Sequence, residues 1–191
     1  MVIYIKNMVC NRCVMAVSQE LEKLNVQTNR INLGEVELQK PLTIKQIQQL
    51  TERLNFLGFE LLDDLRQRQI EKVKNILIKK IQSGSVEEHF SISDYLSKSL
   101  LKDYSSVSRL FSQVEGITVE QFFILQRIEK VKEWLAYGEL TLNEISYKLG
   151  YSSIGHLSAQ FKKVTGLTPS HFKKIGSVHR HPLDKVNCKQ V

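Results

Sequence analysis

Hydrophobic residues in the first thirty positions follow two different periods. The run Val2 to Ile5 alternates as in a short strand. From Cys13 onward, apolar residues recur every three or four positions, which predicts an amphipathic helix. The members of that stripe are Val14, Val17, Leu21 and Leu24.

The next thirty residues repeat this change from strand to helix. INLGEVEL predicts a hairpin that turns at Gly34, and a helix capped by Thr43 follows Pro41. Its predicted apolar face consists of Ile44, Ile47, Leu50 and Leu54. Gly58 is expected to end the helix, and FELL predicts a last strand. The order β, α, β, β, α, β predicts an α+β ferredoxin-like domain over residues 1–64.

A third amphipathic segment, residues 65–84, carries apolar positions close to a seven-residue spacing, at Ile70, Val73, Leu77 and Ile81. Two interpretations remain open. A short coiled coil would make the protein a homodimer, although barely two heptads are present. Alternatively, the segment is the first helix of the following domain, and Gly84 ends it.

The remaining hydrophobic pattern is an internal repeat with an offset of fifty residues. Between SSVSRLFSQVEGITVEQF and SSIGHLSAQFKKVTGLTPSHF, identical residues fall at positions where packing would need them. The matched pairs are Phe111 with Phe161, Val114 with Val164, Gly116 with Gly166, Thr118 with Thr168, and Phe122 with Phe172. Two copies predict a tandem pair of helical modules over residues 85–176.

Capping signals place the helices of each module. Ser91-x-x-Asp94 and Thr141-x-x-Glu144 predict helix starts. In the second copy a short helix runs to Lys148, Leu149-Gly150-Tyr151 makes the turn, and a second helix follows from Ser153. Thr118-x-x-Gln121 opens a nineteen-residue helix between the modules, which at 1.5 Å per residue spans about 28 Å. That length is near the roughly 34 Å between successive major-groove faces of DNA.

The second helix of each module has one buried and one free face. Leu157, Phe161 and Val164 are expected to pack inward. The free face in the second copy consists of Ser152, Ser153, Gly155, His156, Ser158, Ala159, Lys162 and Lys163. In the first copy it consists of Ser105, Ser106, Ser108 and Arg109. Small polar groups at a helix N-terminus approach bases and phosphates closely, which predicts DNA-binding residues here.

Arg109 is the strongest candidate to contact a base edge, because a guanidinium binds guanine in a bidentate manner. A phosphate contact or an intradomain salt bridge is the alternative role for Arg109. For His156 the alternative is a surface hydrogen bond without sequence recognition.

Composition and charge agree with a DNA-binding interpretation. The 191 residues are 42% hydrophobic and 25% charged, and no apolar run approaches the length of about 18 residues that spans a membrane. With no secretory signal at the start, the expected location is the cytoplasm. Residues 1–64 carry 7 basic against 8 acidic residues, or −1, whereas residues 65–191 carry 20 against 12, or +8. A basic excess in the repeated part suits a polyanion, although a Lys-rich helical surface alone would also produce it.

Cys10 and Cys13 form the only close cysteine pair in the sequence. Thiolates are soft ligands, and a two-residue gap lets both sulfurs face one ion, such as Cu(I). We expect the nearby helix N-terminus to ease deprotonation, and Arg12 to change access or lower the thiol pKa. A redox switch and a purely structural or partner-binding module are the alternatives.

The segment Met8-x-Cys10-x-x-Cys13, between the first strand and first helix, resembles the heavy-metal-associated domain of soft-metal chaperones and metal-pumping ATPases. The resemblance implies binding of Cu(I) or a comparable soft ion by the two thiolates. This chain departs from that family at Asn7, where the family usually has Gly.

RLFSQVEGIT, NEISYKLGYSS and AQFKKVTGLTPSHFKK resemble the DNA-binding domain of AraC/XylS-type transcription regulators over about residues 70–176. The resemblance implies seven helices, two helix-turn-helix units and sequence-specific binding to double-stranded promoter DNA. In the first unit Leu100 stands opposite Gly150, so the first turn is expected to be built differently, and its register is defined only to about one residue.

These observations predict a non-enzymatic transcription regulator that responds to a soft metal ion or thiol ligand. No nucleophile with a base, carboxylate pair or phosphate loop suggests an enzyme. The alternative function is a metal-trafficking protein with an accessory basic domain. The tail 177–191, with His179, His181 and Cys188, lacks periodicity and is expected to be mobile, with no required role in a metal site.

Overall fold

A computed structural model of the chain describes residues 1–62 and 65–175. The tail 177–191, with its two histidines and Cys188, lies outside the described residues. Contacts divide the chain into two compact units, Met1–Asn75 and Ile76–Val191. The division falls inside a helix, whereas the sequence predicted it before that helix, at residue 64.

The first unit has the element order β, α, β, β, α, β. Its strands are β1 (Val2–Lys6), β2 (Thr28–Asn32), β3 (Glu35–Leu38) and β4 (Glu60–Leu62). Its helices are α1 (Asn11–Lys23) and α2 (Ile44–Phe56). The strands pair antiparallel in the order β2-β3-β1-β4, so β1 lies between β3 and β4.

One face of this sheet packs on the helices to make the core of the first unit. Alternate β1 residues Ile3 and Ile5 are buried there with Val17 and Leu21 of α1 and Leu50 of α2. Thr43 caps α2 in a reciprocal capping box with Gln46, as predicted. The predicted apolar face of α2 is wrong at its start, because Ile44 is 79% exposed whereas Leu50 and Leu54 are fully buried. The first turn of α2 extends beyond the core.

Helix α3 (Leu65–Gln82) contributes its first eleven residues to the first unit and the rest to the second. Tyr4 lies between Ile3 and Ile5 on β1 and therefore points to the other face of the sheet. The Arg68 guanidinium lies over the Tyr4 ring, 5.3 Å from its centroid, and Arg68 Nε donates to the Leu62 carbonyl.

The predicted stripe of α3 is buried within a single chain. Its members are Ile70, Val73, Leu77 and Ile81. A coiled coil needs such a stripe to be free for a partner helix. The coiled-coil interpretation of this segment is therefore disfavoured.

The second unit continues with six further helices in the described residues, after the end of α3. They are α4 (Ile92–Leu100), α5 (Tyr104–Glu115), α6 (Val119–Tyr137), α7 (Leu142–Lys148), α8 (Ile154–Thr165) and α9 (Pro169–Ile175). The predicted caps Ser91, Thr118 and Thr141 are confirmed, since each side chain accepts a backbone N–H from the first turn.

The fifty-residue repeat is a repeat of packing. Phe111 of α5 meets Phe122 of α6 edge-on with ring centroids 5.6 Å apart. Phe161 of α8 meets Phe172 of α9 in the same manner and at the same 5.6 Å. All four rings are buried, and Gly116 and Gly166 end α5 and α8 in the left-handed conformation. In each copy, an aromatic contact thus joins the second helix of the pair to the helix that follows it.

Candidate nucleic-acid interface and thiol pair

The N-terminus of α5 is capped by an acidic residue. Asp103 accepts the backbone N–H of Ser106 at 3.1 Å and the hydroxyl of Ser105. These two hydrogen bonds, first that of Ser105 and then that of Ser106, lower the pKa of the Asp103 carboxyl. The cap therefore remains negatively charged at neutral pH. Of the predicted site residues here, Ser105 and Ser106 are exposed, and the half-buried Ser108 donates to the Ser105 carbonyl.

Arg109 lies in the second turn of α5 and is exposed. Neighbouring Val107 and Phe111 are buried, so α5 turns Arg109 away from the core. The alternative of an intradomain salt bridge finds no support, because none of the described residues forms an ion pair with Arg109. The guanidinium is thus free to bind an external group.

The N-terminus of α8 has a neutral cap. Ser153 accepts the backbone N–H of His156 at 3.0 Å. The His156 ring is held at the surface by the Ser152 hydroxyl, 3.1 Å from Nδ1, and by an edge-on contact with Tyr151. The alternative predicted for His156, a local surface hydrogen bond, is therefore present in the structure.

The rest of the α8 face is small or basic. Gly155 and Ala159 stand where α5 has Ser105 and Arg109, and Ser158 is half-buried. Lys162 and Lys163 are exposed in the last turn. Compared with α5, α8 has a smoother surface, a neutral N-terminus and two cations, which suits contact with a phosphate backbone.

The turns before these two helices differ by one residue. In the second copy Gly150 takes φ +69°, and in the first copy Leu101 takes φ +52°. With the fifty-residue offset, Leu101 corresponds to Tyr151 rather than to Gly150. The first turn is therefore built differently from the second, and its left-handed residue lies one position later in the repeat. Leu101 is 90% exposed, so burial of its side chain does not stabilise its left-handed backbone.

Arg127 of α6, which the sequence patterns did not single out, fixes the second turn. Its guanidinium lies 4.3 Å from the centroid of the Tyr151 ring, and it donates to the Leu149 carbonyl at 3.1 Å and to Gln160 at 3.2 Å. Tyr151 donates its hydroxyl to the same Gln160 side chain. Burial lowers the pKa of Arg127. The one available signal was a basic residue four positions after Phe123, whose ring also faces the guanidinium.

Gly150 is also closely packed. Val86 pairs with Leu149 in an isolated parallel bridge, and its N–H donates to the Lys148 carbonyl. A Cβ at Gly150 would lie 2.5 Å from the Glu87 carbonyl oxygen. The segment that follows α3 therefore fixes the turn of the second helix pair from one side, while Arg127 fixes it from the other.

Cys10 and Cys13 lie at the start of α1. Cys10 is the residue before the helix, Cys13 is in the first turn, and both side chains are half-buried. Their sulfurs are 3.5 Å apart, and Cys13 Sγ lies 4.0 Å from the Asn7 carbonyl oxygen. Two adjacent soft donors fit a thiophilic ion such as Cu(I).

The structure changes two expectations for this pair, the ease of thiol deprotonation and the effect of Arg12. Burial raises the pKa of the Cys13 thiol, so the predicted easier deprotonation is wrong at this residue. Arg12 is exposed and does not contribute to that change. In the described part of the chain, no group of three or more His, Cys, Asp or Glu side chains is placed to hold a metal ion.

The structure accounts for asparagine at position 7, before the Met-x-Cys motif, where glycine was the expected residue. The Asn7 backbone is left-handed, with φ +71°, a conformation that asparagine tolerates better than most residues. Its side chain donates to the Gly58 carbonyl at 2.9 Å, a hydrogen bond that glycine cannot make.

Part of the second unit is similar to a known family. Residues 96–175 match the family described as helix-turn-helix domain. These residues are thus similar to a helix-turn-helix domain.

Curated proteins that are similar to the chain include regulators from several bacteria. The chain is 22% identical over 107 residues to the probable transcriptional regulator LumQ of Photobacterium leiognathi, covering 56% of this chain and 43% of that protein. It is 29% identical over 73 residues to the xylose operon regulatory protein of Escherichia coli K12, covering 38% and 19%. The chain thus spans less than half the length of these curated relatives.

Among solved structures, the C-terminal domain of AraT, a response regulator from Geobacillus stearothermophilus, aligns with the chain at a TM-score of 0.49 and 23% identity. The alignment covers 59% of this chain and 93% of that one. The DNA-binding domain of AdpA, solved in complex with a target DNA, aligns at a TM-score of 0.47 and 15% identity over 54% and 90%. No helix in the described ranges is long and apolar enough to cross a membrane.

Proposed function

We propose that this protein is a sequence-specific, double-stranded DNA-binding transcription regulator of the AraC type that acts in the cytoplasm and is not an enzyme. The observation that carries the proposal is the pair of capped, surface-facing helices α5 and α8, which occupy equivalent positions in the two copies of the repeat. Similarity to a probable transcriptional regulator and to the xylose operon regulatory protein supports it. The net charge of +8 over residues 65–191 supports a polyanionic partner.

The two helices are proposed to divide the work of recognition. Helix α5 offers Arg109, a free guanidinium suited to a guanine edge. Helix α8 offers a neutral N-terminus, Lys162 and Lys163, which suit phosphates. The serines of both helices and His156 are proposed to approach the DNA around these contacts.

The proposal is tested by selecting duplex sequences that the purified protein binds, then comparing Arg109→Ala with Lys162→Ala. We expect Arg109→Ala to lower discrimination at one base pair by about 1–3 kcal/mol. Lys162→Ala should weaken binding to all sequences and reduce the slope of log K against log salt by about 1. Unchanged sequence preference in Arg109→Ala would contradict the assigned base contact, and failure to select any sequence would contradict the function.

We also propose that residues 1–64 form a ferredoxin-like, heavy-metal-associated domain and that its thiols sense a soft metal ion or another thiol ligand. The βαββαβ order, the strand order β2-β3-β1-β4 and the 3.5 Å sulfur separation support this proposal. The functional DNA-binding domain is proposed to be residues 85–176, with the helix 65–84 before it.

A metal-trafficking protein remains the second candidate function, and the same thiol pair favours it. Sequence-selective DNA binding without metal transfer to a partner protein would exclude it. Homodimerisation is not required, because a single chain carries both helices.

A further inference from the structure

Asn7 is a junction between the thiol pair and two other parts of the first unit. Its carbonyl oxygen faces Cys13 Sγ at 4.0 Å, and its side chain donates to the Gly58 carbonyl at 2.9 Å. Its backbone N–H donates to Glu71 Oε1 of helix α3 at 3.2 Å. The Asn7 carbonyl therefore contacts the Cys13 sulfur, and the Asn7 N–H contacts Glu71 of α3.

Glu71 is an unusual residue to find at this position of a helix. It is only 4% exposed, and its second oxygen is 3.2 Å from Lys74 Nζ, one turn later. A buried carboxylate is costly unless it is hydrogen-bonded or paired. Since Lys74 already supplies a charge, the hydrogen bond to Asn7 is a specific connection to the loop rather than a requirement for neutralisation.

A change at Cys13 reaches this connection through a single residue. A sulfur bound to an ion, or carrying a covalent substituent, no longer donates to the Asn7 carbonyl. Asn7 has a left-handed backbone with φ +71°, which asparagine tolerates and which the hydrogen bonds to its neighbours hold in place. Loss of the Cys13 contact therefore allows the Asn7 backbone to rotate, which changes the direction of its N–H.

We propose that Glu71 is the positioning residue through which the state of the Cys10 and Cys13 thiols alters helix α3. This role rests on the thiol response proposed above, and Asn7 connects the thiols to Glu71. Occupancy of the thiols releases the Asn7 carbonyl, weakens the Asn7 N–H bond to Glu71, and loosens the first half of α3, residues 65–75.

The test measures amide hydrogen exchange by mass spectrometry in the full chain carrying Cys188→Ser, so that only two thiols react. Each protein is compared free, after alkylation by iodoacetamide, and with one equivalent of Ag(I). In the parent protein we expect either treatment to speed exchange in residues 66–75 several-fold. In Glu71→Ala exchange there should be fast already and insensitive to treatment, while residues 7–13 still respond.

Two further variants separate positioning from general stability. Glu71→Gln keeps an oxygen that accepts the Asn7 N–H but removes the charge facing Lys74, and it should respond as the parent does. Glu20 is another buried, ion-paired carboxylate of the same unit, held by Lys23 and Arg53. Glu20→Ala should therefore leave the response of residues 66–75 intact.

The proposal is overturned if residues 66–75 of the alkylated parent exchange as in the free protein, or if Glu71→Ala still shows the difference. Loss of the difference in Glu20→Ala as well would also overturn it, because the effect would then be general loosening. If Ag(I) does not bind at one equivalent, metal sensing fails, while the alkylated samples still decide the role of Glu71.

Discussion

Asn7 and Gly150 have left-handed backbones, a conformation that is unfavourable for most other residues. Each also makes a close contact that depends on its own chemistry. Asn7 uses its amide to bind the Gly58 carbonyl, whereas Gly150 leaves room for the Glu87 carbonyl. Substitutions at these positions therefore separate conformational strain from lost contact.

Replacing Asn7 with valine should destabilise the first unit by about 2 kcal/mol, since a β-branched residue resists this backbone and the bond to Gly58 is lost. Asn7→Gly should be within about 0.5 kcal/mol of the parent, because relief of strain offsets the lost hydrogen bond. Chemical denaturation of both variants measures the free energies of unfolding. Equal losses in the two variants would show that the side-chain hydrogen bond, and not the backbone, determines stability.

Gly150→Ala should cost more than Gly166→Ala. Both glycines have positive φ, +69° and +76°, but a Cβ at Gly166 meets nothing within 4 Å. The Gly166 variant is therefore expected to lose about 1–2 kcal/mol for backbone strain alone. The Gly150 variant has the same backbone strain, and its new Cβ must also displace the Glu87 carbonyl, which lowers its stability further. Thermal and urea unfolding test the difference, and equal losses would contradict the close packing of this turn.

At the scale of elements, the two copies of the repeat share packing but differ in their caps. Asp103 and Ser153 occupy equivalent positions before α5 and α8, and both accept a backbone N–H three residues later. They stabilise the helices similarly, since Asp and Ser are comparable caps. Their charges differ, so a ligand at the helix N-terminus meets a carboxylate before α5 and a hydroxyl before α8.

Exchanging these caps should change DNA affinity without changing stability. Asp103→Ser removes a negative charge beside the expected phosphate backbone, so affinity should rise about two- to five-fold at low salt. Ser153→Asp should lower affinity by a comparable factor. Fluorescence anisotropy with a selected duplex measures both effects. If Asp103→Ser weakens binding instead, the α5 cap does not face phosphate in the complex.

Helices α1 and α2 are joined by an ion-paired carboxylate whose contribution depends on pH. Glu20 of α1 accepts from Lys23 at 2.6 Å and from Arg53 of α2 at 3.0 Å. Hydrogen bonds from Lys23 and then Arg53 lower the pKa of Glu20 below its ordinary value. A lowered folded-state pKa stabilises the protein above the ordinary glutamate pKa, and that stabilisation is lost as the pH falls through the folded-state value.

We therefore expect Glu20→Gln to be less stable than the parent at pH 7. The difference should shrink as the pH falls below the ordinary glutamate range, where the parent carboxyl becomes protonated. Urea unfolding of both proteins between pH 7 and pH 3 measures it. A difference that stays constant over this interval would show that shape, rather than charge, gives Glu20 its role.

At the scale of the whole molecule, the chain combines an almost neutral thiol-bearing unit with a strongly basic helical unit. The helix α3 has residues in both units. Because charge and cysteines are segregated along the sequence, the two proposed activities are separable by substitution. Changes at the thiols should alter a response to metal without altering DNA binding itself.

The double variant Cys10→Ser, Cys13→Ser should bind a selected duplex as the parent does when no metal is present. With Cu(I) supplied under reducing conditions, the parent is expected to change its DNA affinity and the double variant is not. Titration of labelled duplex with and without the ion makes the comparison, with Cys188→Ser as the matched control. An identical response in parent and double variant would remove the sensing proposal.

The sequence alone determined the features that depend on local physics. Capping boxes and apolar periods act within a few turns of chain, so they located the starts of α4, α6 and α7, the course of α8 and the turn at Gly150. Tertiary structure decided what depends on neighbours distant in sequence: the exposed Ile44, the raised pKa of Cys13, the buried Arg127 and the bond from Asn7 to Glu71. Burial and pairing across tens of residues leave no period in the sequence, since they arise only when separate elements enclose a side chain together.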